Sequence, residues 1–138
     1  MKRHGILHPE LASVLAALGH TDTLVIADAG LPIPPAVPRI DLAFSPGKPG
    51  FLEVLEAVLQ EIEIERAVLA EEIRDYSPDG FYRSVLGRLH DQAGLETAAV
   101  EYVPHDAFKG QLANARAVVR TGEQTPYANV ILHSGVTF

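Results

Sequence analysis

The residues of this chain best suited to carry chemistry are a histidine and an aspartate on either side of one short apolar run. His20 follows a predicted helix, and Asp28 follows residues 23–27, an almost continuously apolar segment typical of a strand covered on both faces. In α/β sheets, ligands bind outside the carboxyl ends of strands. A titratable imidazole and a carboxylate held by one short rigid element therefore suggest proton-transfer chemistry on a polar small molecule.

Both residues also have a purely structural interpretation. The His20 imidazole can give or take a proton near neutral pH, but after a helix it could simply cap the last carbonyls. Asp28 could cap a turn into Ala29 and Gly30, although a carboxylate can also accept hydrogen bonds from two neighbouring sugar hydroxyls. Asp22 and Asp41 are expected to be ordinary loop residues.

A second group of polar residues lies nearer the C-terminus. His105 and Lys109 are four residues apart, so they share one face of the short helix that Pro104 is predicted to open. On the residues alone, a solvated helix face is the simpler interpretation. Tyr127 offers an aromatic face and a hydroxyl, and the Asn129 amide both donates and accepts hydrogen bonds, as a sugar hydroxyl does. The alternative here is a turn with a packed tyrosine.

Predicted strands alternate with predicted helices along the chain. Helices are predicted over residues 9–18 and 51–62, and from an N-terminal signal at Ser77 and Pro78 to Gly94; strands are predicted at 23–27, 67–70, 97–103, 115–119 and 130–133. Residues 29–41 are predicted to be a rigid loop because proline and glycine recur there. The alternation predicts one domain, residues 1–138, of the α/β class: a three-layer α/β/α sandwich with a mostly parallel (mixed) central sheet.

Composition excludes several kinds of protein. The chain has no cysteine, so it can form no disulfide or thiolate site. Its net charge of −7 argues against nucleic-acid binding, and no segment approaches the roughly 20 apolar residues of a membrane span. There is no His-Glu-x-x-His pattern and no glycine-rich nucleotide fingerprint, so we expect no metal and no cofactor. The absence of Gly-x-Ser-x-Gly argues against a serine hydrolase. The cytoplasm is the expected location.

The residues described above also carry a family resemblance. The block GHTDTLVIADAGLPIP at residues 19–34, the pair His105 and Lys109, and a C-terminal part comprising residues 121–129 and 135–138 resemble the D-ribose pyranase family of bacterial sugar mutarotases. The resemblance spans essentially the whole chain in the same order. It implies an isomerase that interconverts the pyranose and furanose forms of D-ribose in ribose uptake and catabolism, without a cofactor.

The resemblance also implies roles for individual residues. His20 matches the catalytic proton donor. The matching substrate-binding positions are Asp28, His105, Lys109, Tyr127, Ala128 (in part through its main chain) and Asn129. Related fucose mutarotases carry arginine in place of His105, so this histidine favours the ribose branch.

Assembly is a further implication of the resemblance. It implies a homo-oligomer, a decamer of two pentameric rings, in which His105 and Lys109 reach a neighbour's His20 and Asp28. Two alternatives to a ribose enzyme stay open. One is a mutarotase for another sugar, such as L-fucose, and the other is a non-catalytic sugar-binding partner of a transporter or kinase.

Overall fold

A six-stranded sheet forms the centre of the structure, a computed structural model that describes all residues from Met1 to Phe138. The strands are β1 (Thr23–Ala27), β2 (Arg39–Asp41), β3 (Ile64–Ala70), β4 (Val100–Val103), β5 (Ala117–Arg120) and β6 (Val130–Ser134), in the order β2-β5-β1-β6-β3-β4. Strand β6 is antiparallel to both β1 and β3, and every other pairing is parallel. The predicted mostly parallel, mixed sheet is confirmed.

Helices cover both faces of this sheet. They are α1 (Pro9–Ala17), α2 (Phe51–Leu59), α3 (Ile73–Tyr76), α4 (Phe81–Ala93) and α5 (His105–Gln111). Apolar side chains of α1, α2 and α4 pack with Leu24 and Ile26 of β1, whereas Phe108 of α5 packs with Val25 and Ala27 on the other face. Successive residues of a strand point to opposite faces, so the continuous apolar run is explained and the three-layer sandwich is confirmed.

The first helix begins where the sequence predicts. His8 precedes Pro9, and its ring nitrogen Nδ1 accepts the backbone N–H of Leu11 at 3.3 Å. This bond satisfies one of the backbone donors that a helix start leaves unpaired. The helix ends at Ala17, one residue earlier than predicted.

The predicted loop over residues 29–41 is wrong at its end. Residues 39–41 form strand β2, in which Ile40 is buried and pairs with Val119 of β5. Asp41 is therefore a strand residue, and both of its carboxylate oxygens accept hydrogen bonds from Arg120 at 3.1 Å. The prolines end before Arg39, so an edge strand can form there.

Several further boundaries differ from the prediction: α2 ends at Leu59 instead of residue 62, and β3 begins at Ile64, three residues earlier than predicted. The Ser77 hydroxyl donates to the carbonyl of Ile73, so Ser77 closes α3 instead of capping α4, which Gly80 precedes with a φ of 84°. In the predicted strand 97–103, residues 97–99 form a 3-10 turn and only β4 is extended. Strand β5 starts two residues later than predicted.

Two edges of the sheet matter for function. At the carboxyl edge, the ends of the parallel strands meet the start of β6: the Thr121 N–H donates to Ala27, the Ala29 N–H to Glu123, and the Glu71 N–H to Val103. The opposite edge, called the amino edge below, holds the start of β1 and the end of β6. No helix of this fold has the length and apolarity needed to cross a membrane.

Candidate functional site

A reciprocal pair of hydrogen bonds joins Asp28 to Asn129 at the carboxyl edge. The Asp28 backbone N–H donates to Asn129 Oδ1, and Asn129 Nδ2 donates to Asp28 Oδ2, both at 2.9 Å. Asn129 is fully buried at the start of β6, whereas Asp28 is half-buried after β1. The antiparallel pairing of these strands brings the two residues together although they are 101 positions apart.

The Asp28 carboxylate is held at both oxygens. Its Oδ1 accepts the Gly30 N–H at 2.9 Å, so Asp28 does cap the turn that the sequence analysis gave as its structural alternative. Its Oδ2 accepts the bond from Asn129 at the same time. A carboxylate has about four acceptor positions. The two that remain can take hydroxyl groups of a ligand without any rearrangement of the side chain.

The backbone just before Asn129 has an unusual conformation. Tyr127 has a φ of 61°, which non-glycine residues seldom adopt, and its carbonyl accepts the Asn129 N–H at 2.8 Å. The residue between them, Ala128, is fully buried. Conformations of this kind cost about 1–3 kcal/mol and cluster at functional sites.

His105 lies beside Tyr127 at the same edge. The two rings meet edge to face with centroids 5.0 Å apart, and the His105 ring stacks on Phe108 at 6.3 Å. The Nδ1 atom of His105 is buried and has no hydrogen-bond partner. Buried polar atoms are nearly always paired, so this nitrogen is an exception within the fold.

Lys109 lies on helix α5 with His105, as predicted, but its ammonium group forms an ion pair with Asp106 of the same helix. Its Nζ lies 2.9 Å from Asp106 Oδ1. The hydrogen bond and the charge of Lys109 hold the pKa of the Asp106 carboxyl below its usual value. A ligand bound by Lys109 would therefore have to compete with this ion pair.

A polar cavity of about 360 Å³ opens beside Asp28, within the size range of small-molecule sites. Its lining consists of Asp28, Ala29, Gly30, Glu123, Gln124, Thr125 and Pro126. Glu123, to which the sequence assigned no role, accepts the Thr125 hydroxyl at 2.7 Å and the Phe51 N–H at 3.3 Å. No local signal could have revealed the second bond, since its partners are 72 residues apart.

His20 lies at the amino edge, away from these residues. Its Nε2 is 3.0 Å from Glu65 Oε2, and it lines a separate cavity of about 400 Å³. Strand β1 alone spans about 13 Å between His20 and Asp28. One copy of the chain thus fails to bring them together, contrary to the expectation from their sequence spacing.

The loop that carries His20 is firmly held. The Asp22 carboxylate accepts the Gly19 N–H at 2.8 Å and pairs with Arg116 at 3.0 Å, and the same two contacts, led by the Gly19 bond, lower the pKa of Asp22. Ser134 bonds the loop from the other side, through Thr21 and Asp22. The imidazole is therefore presented at an exposed but ordered position.

The structure regroups the predicted site residues. Asp28, Asn129, Tyr127 and His105 form a continuous set at the carboxyl edge of one copy, and His20 stands apart. The expectation that His105 and Lys109 reach a neighbour's His20 and Asp28 concerns the assembly and stays a prediction.

Fold and site together define a class: a three-layer α/β protein whose carboxyl edge presents hydrogen-bonding groups suited to a small polyhydroxylated ligand. The chain belongs to the RbsD / FucU transport protein family, whose model matches residues 1–137. The family resemblance noted in the sequence is confirmed.

Curated relatives match the chain over its full length. It is 56% identical to the D-ribose pyranase of Geobacillus kaustophilus, covering all of this chain and 96% of that protein. It is 52% identical to the D-ribose pyranase of Bacillus cytotoxicus, with both chains covered completely.

Solved structures agree with the fold. Bacillus subtilis RbsD complexed with D-ribose superposes with a TM-score of 0.89 at 44% identity, over the whole of both chains. FucU from Bifidobacterium longum gives a TM-score of 0.79 at 28% identity, over 96% of this chain and 97% of that one.

Proposed function

We propose that this protein is a D-ribose pyranase, an isomerase that interconverts the pyranose and furanose forms of D-ribose. The observation that carries the proposal is the buried Asn129, which holds the Asp28 carboxylate at the carboxyl edge and lies two residues after Tyr127, whose ring contacts that of His105. The full-length relatives named D-ribose pyranase and the ribose complex of a 44% identical structure support D-ribose as the sugar.

The reaction needs only proton transfers and one change of C–O bond. An acid protonates the ring oxygen while an acceptor takes the proton of the anomeric hydroxyl, so the ring C–O bond breaks and the open-chain aldehyde forms. A different hydroxyl then adds to the carbonyl carbon and closes the other ring. Positioned acid–base catalysis of this kind accelerates a reaction by roughly 10²–10⁴-fold.

The proposed roles follow the chemistry of each group. His20 is the proton donor, because an imidazole can both hold and release a proton and this ring is exposed beside the Glu65 carboxylate. The binding set is Asp28, His105, Lys109, Tyr127, Asn129 and the main chain of Ala128. Within this set, the Asp28 carboxylate supplies the acceptor positions that its bonds to Gly30 and Asn129 do not use.

In this proposal, the proton donor of each site comes from another copy of the chain. We infer that His20 reaches the carboxyl edge of a neighbouring copy, in a cytoplasmic decamer of two pentameric rings. Support comes from the separation of His20 and Asp28 by strand β1. Head-to-tail contacts between copies close into rings, and such contacts bring two different surfaces of the chain together.

Proton NMR of D-ribose tests the activity directly. Exchange between the pyranose and furanose anomeric signals is expected to accelerate with the wild-type protein and with His4→Ala, an exposed histidine elsewhere. The acceleration should be lost with His20→Ala. If the wild type leaves ribose exchange unchanged but accelerates that of L-fucose, the sugar assignment is wrong; if neither sugar responds, the protein is a non-catalytic binder.

Complementation tests the shared site. His20→Ala and Asp28→Asn are each expected to be inactive, but in randomly mixed oligomers about a quarter of the sites receive an intact His20 and an intact Asp28 from different copies. Co-expression of the two variants should therefore restore about a quarter of the wild-type rate. A site contained in one copy predicts no recovery, as does the control in which both substitutions are in the same chain.

A further inference from the structure

Helix α5, which carries His105, begins without a cap from its own sequence. Pro104 precedes the helix and provides no side-chain hydrogen bond. Instead, Glu72 reaches across from the end of β3, and both of its carboxylate oxygens lie 3.0 Å from the backbone N–H of His105. This N–H belongs to the first turn, where the helix itself offers no acceptor.

Glu72 is itself rigidly placed. It follows Glu71, whose N–H donates to Val103 at the end of the neighbouring strand at 2.8 Å, and its carbonyl accepts the Tyr76 N–H at 3.0 Å. The backbone around Glu72 is thus fixed to the sheet on one side and to α3 on the other. The hydrogen bonds from the His105 N–H to the Glu72 carboxylate therefore fix where helix α5 begins.

The segment that contains Glu72 contacts the site twice. Glu72 holds the backbone of His105, while the ring of Tyr76, four residues later, lies 5.8 Å from the ring of Tyr127. Since His105 and Tyr127 also contact each other, a shift of this segment would move both. Neither Glu72 nor Tyr76 has a role in the sequence-based prediction.

We propose that Glu72 is a positioning residue for the sugar site, which fixes the start of α5 so that the His105 ring meets the ligand. The proposal rests on the proposed function, because it assigns Glu72 to the binding of the same sugar. Glu72 touches the backbone of a binding residue and none of the reacting atoms. Its loss should therefore weaken binding far more than turnover.

The test compares Glu72→Ala, Glu72→Gln and the control Glu71→Ala, whose exposed side chain makes no hydrogen bond. From NMR exchange rates at varied D-ribose concentration, Glu72→Ala should raise KM about tenfold and change kcat less than about threefold, since a hydrogen bond to a charged group is lost. Glu72→Gln keeps one oxygen acceptor and should raise KM about threefold. Glu71→Ala should match the wild type.

A second readout is independent of turnover. In ¹H–¹⁵N spectra, the His105 amide should shift upfield in Glu72→Ala and less in Glu72→Gln. If the wild type proves inactive, the proposed function fails, and D-ribose titration of the His105 signals still decides whether Glu72 governs sugar binding.

Opposite results would overturn the proposal. Unchanged KM and sugar affinity in both Glu72 variants, with only a lower melting temperature, would make Glu72 a helix cap alone. If Glu72→Ala does not fold, Glu72→Gln decides: a KM equal to that of the wild type contradicts the positioning role.

Discussion

Replacing Asn129 by aspartate exchanges a single donor group for an oxygen at the centre of the site. Asn129 Nδ2 donates to Asp28 Oδ2 at 2.9 Å, and Asn129 is fully buried. In Asn129→Asp the donor is lost and two anionic oxygens face each other at that distance. The bond from the Asp28 N–H to Oδ1 is retained, so the substitution isolates the contact between the two side chains.

The expected cost at pH 7.5 is about 3 kcal/mol of unfolding free energy, because a hydrogen bond to a charged group contributes about 1.5–3 kcal/mol and repulsion adds to its loss. For a domain of this size, that corresponds to a melting temperature lower by roughly 10 °C. The two acids relieve their repulsion by binding a proton in the folded state. Stability of the variant therefore falls as the pH rises, and its deficit relative to wild type should shrink by more than half at pH 4.5.

Urea unfolding at matched protein concentration measures this deficit at both pH values. The chain offers a matched control in Asn114→Asp, at an exposed position without a side-chain hydrogen bond, which should change stability by less than about 0.5 kcal/mol. D-ribose affinity should fall only in Asn129→Asp. A deficit that is independent of pH, or equal in the two variants, would refute the role assigned to the Asp28–Asn129 pair.

Two further predictions concern the scaffold around the site. A Cβ on Gly122 would lie 2.6 Å from the Ser45 carbonyl oxygen, so Gly122→Ala should lower the unfolding free energy by about 2–3 kcal/mol. Gly87→Ala, in α4 with open space around it, should raise the same free energy by about 1 kcal/mol; equal effects in thermal unfolding would contradict the packing argument. Partial burial and the neighbouring Arg66 charge lower the pKa of His133, so the unfolded chain binds its proton more readily. The stability contributed by neutral His133 should be complete above about pH 6.5 and decline below it; His133→Gln should flatten that decline in urea unfolding from pH 5 to 7.5, and an unaltered pH profile would contradict this.

Local pattern predicted most of the secondary structure, and it failed where pairing partners are distant. The apolar run of β1 indicated a strand buried on both faces because successive side chains of a strand point to opposite faces, so both faces must be apolar. Proline and glycine content could not show that Ile40 pairs with Val119, since that contact depends on a strand formed 79 residues later. Ser77 was misassigned for a related reason: the signal that starts a helix also fits a residue that closes the preceding turn.

The sequence offered the candidate site residues, but it could not show which of them lie together in the fold. Asp28 meets Asn129, 101 residues away, and His20 meets Glu65, 45 residues away. The residues adjacent in sequence to Asp28 and His20 carry no pattern that predicts these partners. Glu72 went unassigned for the same reason, because its link to His105 spans 33 residues.

The direction of β6 explains why these groupings arise. His20 and Asp28 are close in sequence, yet an extended strand advances about 3.3 Å per residue and so carries them to opposite edges. Because β6 runs antiparallel to β1, its first residues lie at the carboxyl edge, where Asn129 and Tyr127 join Asp28 and His105. A parallel β6 would place Asn129 at the amino edge beside His20, and Asp28 would lose the donor that orients it. The one reversed strand of the sheet therefore determines which of the candidate residues lie together in a single copy, and it separates His20 from them.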